Sequence, residues 1–276
     1  MAAAQPAPRS TRQRLPAAAS VPVAAARRQG QELPARKDTS VAEHHASRAR
    51  PSAFSVAACS RADHMETSER AIRDVAHVLR IVASCCLPSG SPHSALRLWD
   101  PFYCQGTVKV HYRKHGFPLC YNRREDFYAV WKAGALPPHD MLVTNPPYSG
   151  DHIQRALQFC AEEIQTPWAM LLPTTVLLRS WWSAMALCLE RGGNAAPVVF
   201  VAPSNCRYAF EKRRPSGGGS KADGSAGAPV APEVETIWFL GGLEAAWAKT
   251  VSARFLQTAD PAECVLVLTA EQLPRK

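Results

Sequence analysis

The 276-residue chain has no apolar run near the roughly 20 residues that a membrane-spanning helix requires, so a soluble protein is expected. It also has no C-x-x-C pair. Its nine cysteines are odd in number and scattered, which argues against a disulfide framework or a zinc module and suits a reducing, intracellular compartment. His111, His115 and His152 form no spaced ligand set with acids or cysteines, so no metal is expected. Acids are scarce at the start, where none precedes Glu32.

What is present there is positive charge. The chain carries a formal +9, and residues 1–50 hold nine Lys/Arg against three acids, leaving only +3 for the other 226 residues. The folded part therefore makes a weak electrostatic case for nucleic acid on its own, and a protein partner could supply the missing surface. Residues 1–61, rich in Ala, Pro, Arg and Ser, cannot bury a core and read either as a disordered tail or as an organelle transit peptide for mitochondrion or plastid. Residues 62–276 read as one domain, interrupted by a flexible Gly/Ser/Ala/Pro loop at 215–233.

Within that domain the hydrophobic period alternates between helix and strand. Helical stripes run over Thr67–Ser84, Thr107–His115, His152–Ile164 and Leu178–Leu189. Short apolar runs at Leu96–Trp99, Leu119–Tyr121, Met141–Thr144, Trp168–Leu172, Pro197–Val201 and Thr236–Leu240 read as strands. Such alternation predicts an α/β fold: a mainly parallel twisted sheet with helices on both faces. Ligands of these sheets sit at the carboxyl ends of the strands.

Two of those ends are chemically unusual. One is Asp100-Pro101-Phe102-Tyr103-Cys104-Gln105-Gly106; the other is Asn145-Pro146-Pro147-Tyr148, which lies 45 residues after Asp100 and precedes a helix. A turn built from Asn and Pro is the plain alternative for the second. Together, in this order, the two stretches resemble the class I S-adenosylmethionine-dependent amino-methyltransferases of the adenine-N6 type, whose hallmark after the fourth strand is (D/N/S)-P-P-(Y/F/W).

That resemblance implies a Rossmann-like fold with an antiparallel last strand, S-adenosyl-L-methionine as cofactor, and RNA or DNA as substrate. It implies catalytic roles for Asn145, Pro146, Pro147 and Tyr148, the first two accepting the hydrogens of an exocyclic amine and Tyr148 stacking on the planar target. An amine conjugated to a ring is a poor nucleophile, and acceptors that favour a pyramidal nitrogen aim its lone pair for in-line displacement. Cofactor contacts are implied at Asp100, Pro101, Phe102 and Gly106, although Cys104 stands where an earlier glycine is usual. The ribose position carries Asn122 where an acid is usual. Asp126 and Phe127 resemble the adenine-binding pair, and Glu66 with Thr67 an extra cofactor element before the first strand. Asp126 could instead lie in a surface turn with Phe127 in the core, and Glu66-Thr67 could be helix-capping sequence.

Tyr208, then Phe210, are candidates to touch the target base, against the alternative that strand-end aromatics are core. Arg207, Lys212, Arg213, Arg214 and Lys221 form the basic cluster visible in the folded part, as phosphate contacts or as a solvated loop. A protein-glutamine N-methyltransferase is the competing enzyme class, because a side-chain amide offers the same planar NH2. A binding subunit that kept the fold and lost the cofactor is the third class.

Overall fold

A computed structural model describes residues 65–190, 196–204, 207–208, 210–212 and 235–274, with 211–212 as backbone alone. The tail 1–61 and the loop 215–233 lie outside the described residues, as do Arg213, Arg214 and Lys221.

The chain runs β1 (Met65–Glu66), α1 (Glu69–Cys86), β2 (Leu98–Trp99), α2 (Val108–Lys114), β3 (Cys120–Tyr121), α3 (Phe127–Lys132) and β4 (Met141–Thr144). It continues through α4 (His152–Glu162), β5 (Trp168–Pro173), α5 (Trp182–Glu190), β6 (Val199–Pro203), β7 (Glu211–Lys212), β8 (Thr236–Gly241), α6 (Ala245–Thr258) and β9 (Cys264–Val267). Seven strands make one sheet in the order β3-β2-β4-β5-β8-β6-β9, and β1 pairs with β7 as a separate antiparallel ribbon.

β3, β2, β4 and β5 pair in parallel. β8 runs antiparallel between β5 and β6, and β9 antiparallel outside β6. Five strands thus share one direction, and the expected Rossmann-like α/β class holds. The difference is at the end of the chain, where two reversed strands stand instead of one, because α6 returns the chain for a further pass along β6. Between Asn122 and Asp126 no strand intervenes; the chain turns directly into α3, which leaves β3 at the edge of the sheet.

Side-chain alternation along the strands builds two cores. Met141 and Val143 of β4 face the layer of α1, α2 and α6, while Leu142 faces α3, α4 and α5. The helix α1 starts at Ser68, whose Oγ accepts from the Ala71 N–H at 3.4 Å, and buries Ile72, Val75, Val78, Leu79 and Val82 completely. At about 1.5–3 kcal/mol for each such side chain, this face contributes on the order of 10 kcal/mol of gross burial. The Trp238 indole N–H donates to the Ala71 carbonyl at 2.9 Å and fixes α1 against β8. At Gly241 any Cβ would run into the Trp168 indole, so only glycine lets β8 lie against β5 there.

Candidate functional site at the strand ends

β2 ends on Asp100 and β4 on Thr144-Asn145, and the pairing of Trp99 with Leu142 brings these ends side by side. Thr144 Oγ1 donates to Asp100 Oδ1 at 2.5 Å, and the Phe102 N–H donates to the same oxygen at 3.2 Å. Burial pushes the Asp100 carboxyl up to about 7; those two donors pull the other way, and the charge of Glu66 adds to the rise. The carboxyl stands at the carboxyl end of a parallel strand, where sheets of this kind hold ligands.

Asn122, at the end of β3, is buried, and its amide N–H donates to the Asp100 carbonyl at 3.1 Å. Its other half, Oδ1, is buried with no hydrogen-bond partner among the described residues. The same holds for Asn145 Oδ1 and for the hydroxyl of Tyr112, a fully buried α2 residue beside Asp100 and Cys120. Buried polar atoms almost always find partners, and the same lack is shared by side chains elsewhere, His139 Nε2 and Thr166 Oγ1 among them.

The loop after β2 wraps a second carboxylate. Glu66 accepts from the Gln105 N–H at 2.5 Å, with the Thr107 N–H and the Cys104 side chain also bonded to it, and burial leads the upward push on its acidity constant. Gly106 sits at φ +81°, and a Cβ there would meet the Tyr103 ring at 2.7 Å, so the turn requires glycine. Pro101 and Thr67 are buried, and Phe102 packs on Phe127 at 5.1 Å between centroids.

Other expected residues stand elsewhere in the local architecture. Asp126 caps α3, its Oδ1 accepting from the N–H groups of Tyr128 and Ala129 at 2.9 and 3.3 Å. Phe127 lies in the core against Trp99, Phe159 and Trp131. The cleft bounded by Asp100, Pro101, Tyr121, Arg123, Glu125 and Phe127 measures about 10 Å³, room for about one water. Tyr148 is half-buried; its hydroxyl donates to the Leu171 carbonyl at 3.1 Å, and its ring meets Phe210 edge to face at 6.4 Å. Phe210 is thereby brought to the Asn145 turn. Tyr208 is not available to a planar group in this structure: it is fully buried, and its hydroxyl donates to Asp74 Oδ2 on α1 at 3.1 Å.

Sequence reading missed Thr144, although a β-branched hydroxyl closing an apolar strand just before Asn145 was a usable signal. It also missed Tyr128, whose hydroxyl bonds His152 Nδ1 at 2.6 Å and whose ring lies under the Arg155 guanidinium at 3.6 Å. Asp151 occupies the N-cap position of α4 without making a side-chain cap bond; it lies 3.8 Å from Arg155. At the far end of β4, Asp140 pairs with Arg97 at 2.5 Å and is held below the usual carboxylate range by that bond.

Among the described residues no group of His, Cys, Asp or Glu is placed to hold a metal ion, no cysteine is in a disulfide, and no helix is long and apolar enough to cross a membrane.

Fold and site together define a Rossmann-like α/β protein with a buried acid–threonine pair at the ends of two adjacent parallel strands. No family model matches the chain, and no curated protein does. Among solved structures, the chain is similar to one from a study of complex assembly and conformational transition of the type I R-M system, at 16% identity and a TM-score of 0.32. That match covers 62% of this chain and 44% of the other, so this chain spans less than half of its neighbour's length. A likeness at that level carries no argument, and the fold class rests on the strand order itself.

Proposed function

We propose that the protein is an S-adenosylmethionine-dependent N-methyltransferase acting on an exocyclic amine, with adenine in RNA or DNA as its target. The observation that carries this reading is the buried, unpartnered Asn145 Oδ1 on an Asn-Pro-Pro-Tyr turn at the carboxyl end of a central strand. An acceptor left unmatched in the fold costs stability, of order 1–3 kcal/mol, and such a cost is kept where a substrate donor repays it.

The donor set fits S-adenosylmethionine at the end held by Asp100 and Asn122, where Asn122 Oδ1 awaits a hydroxyl and the Gly106 turn presents backbone. When bound, that cofactor supplies an electrophilic methyl group on a sulfonium. Asn145 Oδ1 and the Pro146 carbonyl hold the two hydrogens of the amine and direct its lone pair. Pro147, with its fixed φ, keeps the acceptors in place, and Tyr148, anchored on Leu171, with Phe210 at its edge, walls the target plane.

A second reading has its own observation. Asp126 is spent as a helix cap, Glu66 occupies the Gln105 and Thr107 N–H groups, and the cleft beside Phe127 has room for about one water. On that basis the chain would be a binding subunit that keeps the fold without the transfer.

Transfer of labelled methyl from S-adenosylmethionine to RNA, DNA and protein fractions decides among them. Label in nucleic acid that disappears with Asn145→Ala is the expected result. Label in protein alone replaces adenine with a glutamine side chain. No calorimetric uptake of cofactor by the folded protein leaves the binding subunit.

A further inference from the structure

Three cation–aromatic pairs stand where the chain leaves β2, β3 and β4 and enters the helices that follow. Lys109 Nζ lies 5.7 Å from the Tyr103 ring centre, Arg123 Cζ 4.9 Å from that of Tyr121, and Arg155 Cζ 3.6 Å from that of Tyr128. None belongs to the basic cluster that the sequence displays around residue 212; their cations lie 46 residues apart at the extremes, and the parallel strand order sets the ends of β3, β2 and β4 side by side.

A guanidinium held over a ring uses its face there and can still direct an N–H group outward to a phosphate. Stacking also orders the side chain in advance, so less rotamer freedom is lost on binding. The nearby acids are already engaged. Glu125 accepts from the Tyr121 hydroxyl at 3.0 Å and Asp126 caps α3, while Asp151 pairs with Arg155 itself at 3.8 Å, a contact that a phosphate would displace. Arg123 is exposed, and the Arg155 side chain keeps 41% of its surface in solvent.

We infer that these pairs form a rim that grips the phosphates of a single-stranded nucleic acid on either side of the nucleotide presented to Asn145. The inference rests on the methyltransferase reading for that nucleotide's fate, but not for the binding itself. Three neighbouring parallel strands span about 10 Å, so the rim reaches only the nucleotides that flank the presented one. A single strand can place a base at the buried Asn145 Oδ1, whereas a paired base must first leave its stack.

The test is fluorescence anisotropy of the full chain with a labelled 12-nucleotide adenine-containing single strand, its duplex, and poly-glutamate of matched charge, at several salt concentrations. The single strand is expected to bind tightest. Arg123→Ala and Arg155→Ala should each weaken it about three- to tenfold and each lower the salt slope by about 0.7, while Lys249→Ala on α6 changes neither. Arg155→Lys keeps the charge but not the flat fork, and should fall between wild type and Arg155→Ala; it also serves if the alanine variant does not fold. Binding that ignores Arg123 and Arg155 overturns the rim, as does equal binding of duplex or poly-glutamate. If the single strand binds through Arg123 and Arg155 but the wild-type chain transfers no methyl group, the chemistry fails and the rim stands; transfer to nucleic acid with unchanged binding by the arginine variants is the reverse.

Discussion

Thr144 Oγ1 and Asp100 Oδ1 lie 2.5 Å apart, a hydrogen bond that ties the carboxyl end of β4 to that of β2. It couples the proposed transfer turn to the proposed cofactor acid, because Asn145 follows Thr144 directly. Replacing the hydroxyl with a methyl keeps the shape and removes the donor. Thr144→Val should therefore cost about 1–3 kcal/mol in urea unfolding and push the Asp100 carboxyl still higher. A variant as stable as wild type would mean that the bond contributes nothing.

Asp100 also predicts a pH dependence. Its folded-state constant, about 7, lies above the ordinary 3.8, so the folded protein holds a proton that the unfolded chain releases. Its contribution is fully present below about pH 4 and is lost as pH rises toward about 7, at up to about 1.4 kcal/mol per pH unit. Glu66 and Asp74 are shifted in the same direction, so the single-site share is read from the difference between wild type and Asp100→Asn. Urea melts from pH 4 to 8 should show a shallower decline in the variant; parallel curves would remove Asp100 from the account.

Tyr208 and Phe210 separate packing from recognition. Tyr208→Phe deletes the donor to the buried Asp74 and leaves that carboxylate short of a partner, at a cost of about 1–3 kcal/mol. Methyl transfer by the folded variant should stay within about twofold, an effect below 1 kcal/mol. Phe210→Ala should do the opposite to transfer, raising KM for the nucleic acid, because it removes the ring that meets Tyr148. Equal catalytic losses in both variants would put Tyr208 back among the substrate contacts.

The strands that carry the site were legible because each is a short apolar run closed by residues that cannot continue it. Met141–Thr144 before Asn-Pro-Pro and Leu98–Trp99 before Asp-Pro are the clearest. α1 was legible from its stripe, which the fold buries as the period requires. The ribbon of β1 with β7 was not legible, since two-residue strands 145 positions apart carry no periodic signal. The last reversed strand was missed for a related reason: Cys264–Val267 is a mixed apolar run whose direction depends on where α6 returns the chain. At the site, Asn145 and Asp100 were readable from their motifs, whereas the roles of Thr144 and Asp126 depend on hydrogen bonds. No pattern in a linear sequence distinguishes an aspartate that caps a helix from one that binds an adenine.

Asn145 gives the sharpest prediction, because its two contributions have opposite signs. Its Oδ1 is buried with no partner, so deleting the side chain removes an unmatched acceptor rather than a bond. Asn145→Ala should unfold at the same or a slightly higher urea concentration than wild type. It should still take up S-adenosylmethionine by calorimetry, since Asp100 and Asn122 are untouched. Methyl transfer should nevertheless fall by on the order of a hundredfold or more, the usual effect of removing one positioned hydrogen-bonding group from a transition state. An ordinary turn asparagine would behave the other way: stability would drop with the lost turn bond, and any transfer activity would survive. The two measurements on one variant therefore separate a turn residue from a catalytic acceptor, whichever amine proves to be the substrate.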